Sequence, residues 1–206
     1  MNNSIVAISV GHAYDNLRNY GLENNNLEPI KNIFQVNNLS QLINNIANIN
    51  KSIDLNHYDD CSNITQATNK AKGDLFEVFS AIWLSTFGGD RHYSIMNIKW
   101  APRDQKGYDF TATNHNNRPV FIQSKFRSNI NEEFESNQLE TFLIEGKELN
   151  TPTVHYLFTN SKKVSSRYRT AEREGKMRII DYNEINKHTN EGFWSMVREV
   201  TNFIFV

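Results

Sequence analysis

Two stretches of this chain carry the period-two pattern of half-buried strands: Gly107-Tyr108-Asp109-Phe110-Thr111-Ala112 and Pro119-Val120-Phe121-Ile122-Gln123-Ser124-Lys125-Phe126. Between them lie Asn114, His115, Asn116 and Asn117, residues that tolerate the backbone of tight turns, so a β-hairpin is the simplest reading. If it folds about Asn116, Asp109 stands opposite Gln123. Alternation then sends Phe110, Ala112, Val120, Ile122, Ser124 and Phe126 to one face, and Asp109, Thr111, Phe121, Gln123 and Lys125 to the other.

Helical spacing dominates elsewhere. Residues 69–84 place Leu75, Phe76, Phe79, Ile82, Trp83 and Thr86 on one wide stripe, and Gly88-Gly89 ends the helix. A strand is expected over 92–98, a helix over 132–149 with Phe134, Leu139, Phe142, Leu143 and Ile144 as its apolar set, and a buried strand over 153–159. Ser165 and Ser166 read as N-caps of a basic helix running to about Gly175. A short strand over 177–182 and a helix from Glu191 to Phe203, burying Phe193, Trp194, Val197, Val200 and Ile204, close the chain. The order is that of an α/β fold with a mixed sheet covered by helices. Residues 1–66 are a separate helical extension, with helical spacing in Leu27, Ile30, Ile33, Phe34 and in Leu39, Leu42, Ile43, Ile46, Ile49. It serves packing, dimerisation or specificity, and a polar linker over 54–63 leads into a domain of residues 67–206.

Composition narrows the function. With 206 residues and a formal net charge of −1, the chain can bury a proper core but is no globally basic nucleic-acid binder. Any affinity for DNA must come from a local patch. The best candidate is Ser161 to Arg178, with Lys162, Lys163, Ser165, Ser166, Arg167, Arg169 and Arg173, whose bland reading is a solvated helix face. Cys61 is the only cysteine, which excludes an intrachain disulfide and a Cys-based zinc site. Without a Gly-rich phosphate loop, no nucleotide cofactor is expected. The early apolar run over 5–10 is too short to span a membrane and lacks a basic leader, so the expected location is cytoplasmic.

The chemistry concentrates on the hairpin. A carboxylate, an amide and an ammonium (Asp109, Gln123, Lys125) converge at its end; they either hold a divalent cation beside a phosphate or form a solvated face with a cross-strand charge pair. Glu77, set among Leu75, Phe76, Val78 and Phe79, is either a partnered acid at the core boundary or a surface residue on the helix flank.

Glu77 in an apolar helix, Gly107-Tyr108-Asp109 opening a strand and Ile122-Gln123-Ser124-Lys125-Phe126 closing its partner resemble the PD-(D/E)XK nuclease superfamily. More narrowly they resemble its Mrr-like branch, where Gln replaces the acid before x-Lys, and the nuclease domains of helicase-linked and type ISP restriction enzymes. Leu139-Glu140-Thr141-Phe142-Leu143 and His155-Tyr156-Leu157-Phe158-Thr159-Asn160-Ser161 extend the resemblance over roughly residues 70–185. It implies a restriction-endonuclease-like fold and a metal-dependent DNA endonuclease. Asp109, Gln123, the Ser124 carbonyl and Glu77 would bind Mg²⁺, with Mn²⁺ as substitute, and Lys125 would position water or offset charge. With Gln123 in place of an acid, the site should bind metal more weakly. A free-standing homodimeric nuclease in restriction, phage competition or homing is the expected setting. The rivals are a nuclease-fold DNA-binding module without catalysis, and a protein-binding inhibitor or adaptor acting through residues 1–60.

Overall fold

The structure, a computed structural model, describes residues 17, 27–49, 63–102, 107–135, 139–144 and 152–205. The sequence readings at 5–10, 54–62 and Cys61 lie outside them. The chain forms two compact units, Met1–Ile82 with Asn186–Val206, and Trp83–Ile185.

The first unit is helical: α1 (Glu28–Ile33), α2 (Leu39–Ala47), most of α3 (Ile64–Phe87) and α7 (Glu191–Ile204). Asn38 starts α2 by accepting the Gln41 N–H at 2.9 Å, while the Gln41 side chain takes the Asn37 N–H at 2.8 Å, a reciprocal cap. The periodic residues of the extension are its core: Ile30, Phe34, Leu39, Leu42, Ile46 and Ile49 are sealed from solvent. Arg198 of α7 ties the α1–α2 turn down, donating to the Val36 carbonyl at 2.6 Å and to Asn37 Oδ1 at 2.8 Å. Phe79 of α3 stacks on Trp194 of α7 at 5.9 Å between centroids.

The second unit is built on a five-stranded mixed sheet in the order β1-β2-β3-β5-β7, so the α/β expectation holds. Its strands are β1 (Met96–Trp100), β2 (Phe110–Thr113), β3 (Pro119–Lys125), β5 (Val154–Thr159) and β7 (Arg178–Ile180). The hairpin pairs Phe110 with Ile122 and Thr113 with Pro119, the register read from the turn. The Asn114 side chain closes that turn by accepting the N–H groups of Asn116 and Arg118, both at 2.9 Å. β3, β5 and β7 run parallel, which requires crossover connections. The first carries α4 (Leu139–Ile144) and the second α5 (Ser166–Arg173). Phe142, Tyr168, Ala171 and Met177 from these connections pack on Phe121 and Leu157 of one sheet face. On the other face Trp83 packs edge-on against Tyr93 and Phe158.

Five local expectations change. Glu133–Phe134 is not helical. It forms β4, pairing in parallel with β6 (Lys163–Val164), because Phe134 is buried edge-on against Tyr168 and this tertiary contact overrides helical spacing. In the same set Ile144 is 55% exposed, and Thr86 of the α3 stripe is also exposed. The strand expected over 92–98 begins only at Met96: the N–H groups of Tyr93 and Ser94 are bound to the Asp90 carbonyl, and Ser94 has φ 56°. A helix absent from the sequence reading, α6 (Tyr182–His188), follows β7, where Asp181 Oδ1 accepts the N–H groups of Asn183 and Glu184. Gly88 does end α3: a Cβ there would meet the Leu84 carbonyl at 2.3 Å.

Candidate functional site

The site forms where β2 begins and β3 ends. Ahead of β2 the backbone is irregular, with Gly107 at φ 105°, and this re-aims the segment toward its neighbour strand. The Asp109 carboxylate accepts the Ser124 N–H through Oδ2 at 2.6 Å, while the Asp109 N–H donates to the Ile122 carbonyl at 2.8 Å. A side chain thereby takes over where the backbone ladder stops. Gln123 is 1% exposed and donates Nε2 to the Gly107 carbonyl at 2.9 Å. Its Oε1 is buried and has no hydrogen-bond partner among the described residues. Lys125 is half-buried, and among the described residues its ammonium makes no ion pair or hydrogen bond.

Asp109, Gln123, Ser124 and Lys125 therefore come together at one strand end. Glu77 lies in the other unit, half-buried on α3 between the sealed Phe76 and Val78. Among the described residues no group of three or more His, Cys, Asp or Glu side chains is arranged to hold a metal. The donors present are one carboxylate, one amide oxygen and backbone carbonyls. That set fits Mg²⁺, which takes oxygen ligands, keeps several waters and needs only one or two carboxylates. The observation in its favour is the orphaned Gln123 Oε1, because a buried acceptor without a donor costs about 1–3 kcal/mol unless something else satisfies it.

Asn160, which sequence reasoning missed as a functional position, shapes this end. It is sealed from solvent, accepts the Arg127 N–H at 2.7 Å and donates to the Arg127 carbonyl at 2.7 Å. The two bonds continue the β3–β5 pairing one step beyond Lys125 and Thr159. The Ser161 hydroxyl lies 2.8 Å from the carbonyls of both Glu132 and Lys163 and shares its one proton between them. An Asn-Ser pair directly after a buried strand was the available signal.

The basic segment starts beside this end, three residues past Thr159, but its cations differ. Lys162 lies over the Tyr182 ring at 4.8 Å; Lys162 and Lys163 are exposed. Arg167 is paired with Glu140 at 2.5 Å. Arg169 is held by Glu172 at 2.9 Å and Asp181 at 2.5 Å. Burial works against the Arg169 charge, yet those two acceptors hold its pKa above the usual value. Arg173 is exposed and donates to Thr170 Oγ1 at 3.0 Å. Ser166 is exposed at the first turn of α5. Ser165 occupies the N-cap position without capping: its N–H donates to the Phe134 carbonyl, and its buried Oγ makes no cap bond.

No protein-family model matches the chain, and no curated protein matches it either. Among solved structures it is similar to the ATP-dependent type ISP restriction-modification enzyme LlaBIII bound to DNA, with 18% identity and a TM-score of 0.40. That likeness covers 53% of this chain and spans only 7% of the enzyme's length. No helix among the described residues is long and apolar enough to cross a membrane.

Proposed function

We propose that this chain is a Mg²⁺-dependent DNA endonuclease whose centre lies where β2 begins and β3 ends. The observation that carries the reading is the buried, partnerless Gln123 Oε1 on the strand neighbouring Asp109, at the end of a sheet where α/β proteins bind ligands. Asp109, Gln123 Oε1 and the Ser124 carbonyl would hold the cation. When bound, it lowers the pKa of a coordinated water and stabilises charge on the phosphate.

The protein's own residues supply the rest. Lys125 carries a positive charge that no described carboxylate neutralises, so it is available to a phosphate oxygen or an attacking water. The Ser124 N–H fixes the Asp109 carboxylate, leaving its second oxygen for the site. Asn160 holds the backbone that follows Lys125. Lys162, Lys163, Ser166 and Arg173 are the exposed groups of the basic segment that meet the DNA backbone, whereas Arg169 is bound internally.

The test is plasmid cleavage by the full chain with Mg²⁺, Mn²⁺ or EDTA, beside Asp109→Ala and Lys125→Ala proteins of unchanged circular dichroism. Metal-dependent cutting that falls by about a hundredfold or more in both variants is expected. DNA binding without cutting, unaffected by either substitution, would replace the enzyme with a binding module.

A further inference from the structure

The parallel strands have a second end, and it is built for the opposite charge. A cavity of about 820 Å³ opens there, lined by Arg118 just ahead of β3, Val154 at the start of β5, Arg178 at the start of β7, and Arg91 and His92 from the loop after α3. Its volume falls in the range of about 300–1,000 Å³ typical of small-molecule sites. At roughly 3.3 Å per residue, β3 alone separates it from Lys125 by about 20 Å. It is therefore distinct from the site of the proposed nuclease and does not depend on that reading.

Positive charge is in excess around this cavity. Its three arginines face two glutamates, and both glutamates are engaged. Glu184 accepts the Tyr93 hydroxyl proton in a hydrogen bond, while Glu172 pairs with Arg169 and accepts the Ile179 N–H at 2.9 Å. Arg178 is held only by neutral acceptors, donating Nη1 to the His92 carbonyl at 2.7 Å and to the Tyr156 hydroxyl at 3.3 Å. Arg118 sits on a pinned backbone: its N–H donates to Asn114 Oδ1, and its carbonyl accepts the Asn114 N–H at 3.0 Å. Among the described residues the guanidinium groups of Arg118 and Arg91 make no ion pair or hydrogen bond.

We propose that this cavity binds a phosphate-bearing anion of up to nucleotide size, gripped by Arg91, Arg118 and Arg178. Planar guanidinium forks match phosphate oxygens, and the fixed backbones of the loop, the turn and β7 reduce the entropy lost on binding. The same chemistry is offered by a free polyphosphate and by the phosphorylated 5′ end of a nucleic-acid strand.

Calorimetric titration of the full chain in EDTA tests the site, using inorganic tripolyphosphate, a 5′-phosphorylated hexadeoxynucleotide and its unphosphorylated twin. Saturable binding of at least one phosphate probe is expected, weakened at least tenfold in Arg118→Gln and in Arg91→Gln and unchanged in Lys99→Gln, which removes an exposed charge of β1 outside the cavity lining. Both arginines are exposed, so unchanged melting curves are expected to accompany the loss. Tripolyphosphate binding assigns the site to a free polyphosphate; preference for the phosphorylated oligonucleotide over its twin assigns it to a strand end. The proposal is overturned if neither phosphate probe saturates, if the arginine variants bind as the wild type does, or if Lys99→Gln loses as much affinity as they do.

Discussion

The two ends of the parallel strands satisfy their polar groups in opposite ways. Near the end of β3, Gln123 is buried with an acceptor oxygen that no described donor reaches, beside a carboxylate already fixed by a backbone N–H. Ahead of its start, the buried groups are satisfied: the Tyr156 hydroxyl donates to the Tyr93 carbonyl and the Tyr93 hydroxyl to Glu184. There it is the exposed arginines Arg91, Arg118 and Arg178 that form no ion pair among the described residues. A buried acceptor without a donor selects for a cation, and exposed guanidinium groups that outnumber the carboxylates around them select for an anion. The middles of the strands between them are hydrogen-bonded and mostly apolar, and the candidate groups collect where the ladder stops.

The largest expected effect tests the part both ends share. Trp83 is sealed from solvent against Tyr93 and Phe158. Trp83→Ala should cost about 3–5 kcal/mol in denaturant unfolding and weaken cleavage and anion binding together. If one activity survives that loss, the two ends do not share a structural base.

Asn160→Ala separates the ends. Removing a buried amide that bridges both polar groups of Arg127 should cost about 1–3 kcal/mol and reduce cleavage while tripolyphosphate affinity stays constant. Equal loss at both ends would refute the separation.

Alkaline pH probes the other end. The pKa of Tyr93 is pushed far above its ordinary value, first by burial and then by the hydrogen bond to Glu184; burial likewise raises Tyr156, against the opposing pull of Arg178. Above the unfolded tyrosine value of about 10, the folded protein retains protons that the unfolded chain has released. Stability is therefore complete below that pH and falls as pH rises toward the folded values. Absorbance near 295 nm should show these two tyrosinates forming only together with loss of circular dichroism. Their ionisation in a still-folded protein would contradict the assignment.

Much of this was legible in the sequence because it rests on local patterns. The four residues Asn114 to Asn117 set the hairpin register, and that register put Asp109 opposite Gln123. The stripe from Leu75 to Trp83 is buried as its spacing implies. Elements decided by distant partners were not legible. Phe134 follows a helical pattern yet pairs as a strand with residues thirty positions away, because Tyr168 offers it a buried site. Ser94 and Asn97, at φ 56° and 55°, delay and bulge β1 without a glycine to announce it. The α6 start was signalled by Asp181 and Glu184, an acid-x-x-Glu pattern hidden within an apparent strand end. Arg91, Arg118 and Arg178 belong to separate segments and meet only through the strand order.

The most direct measurement is Mn²⁺ binding by the full chain, followed calorimetrically in the wild type, Asp109→Ala, Gln123→Leu and Gln123→Glu. The account predicts one saturable site, absent in Asp109→Ala, weakened about tenfold or more in Gln123→Leu by loss of an oxygen ligand, and tightened in Gln123→Glu by the added charge. Mn²⁺ affinity unchanged by Asp109→Ala and Gln123→Leu, in proteins that melt as the wild type does, would contradict it.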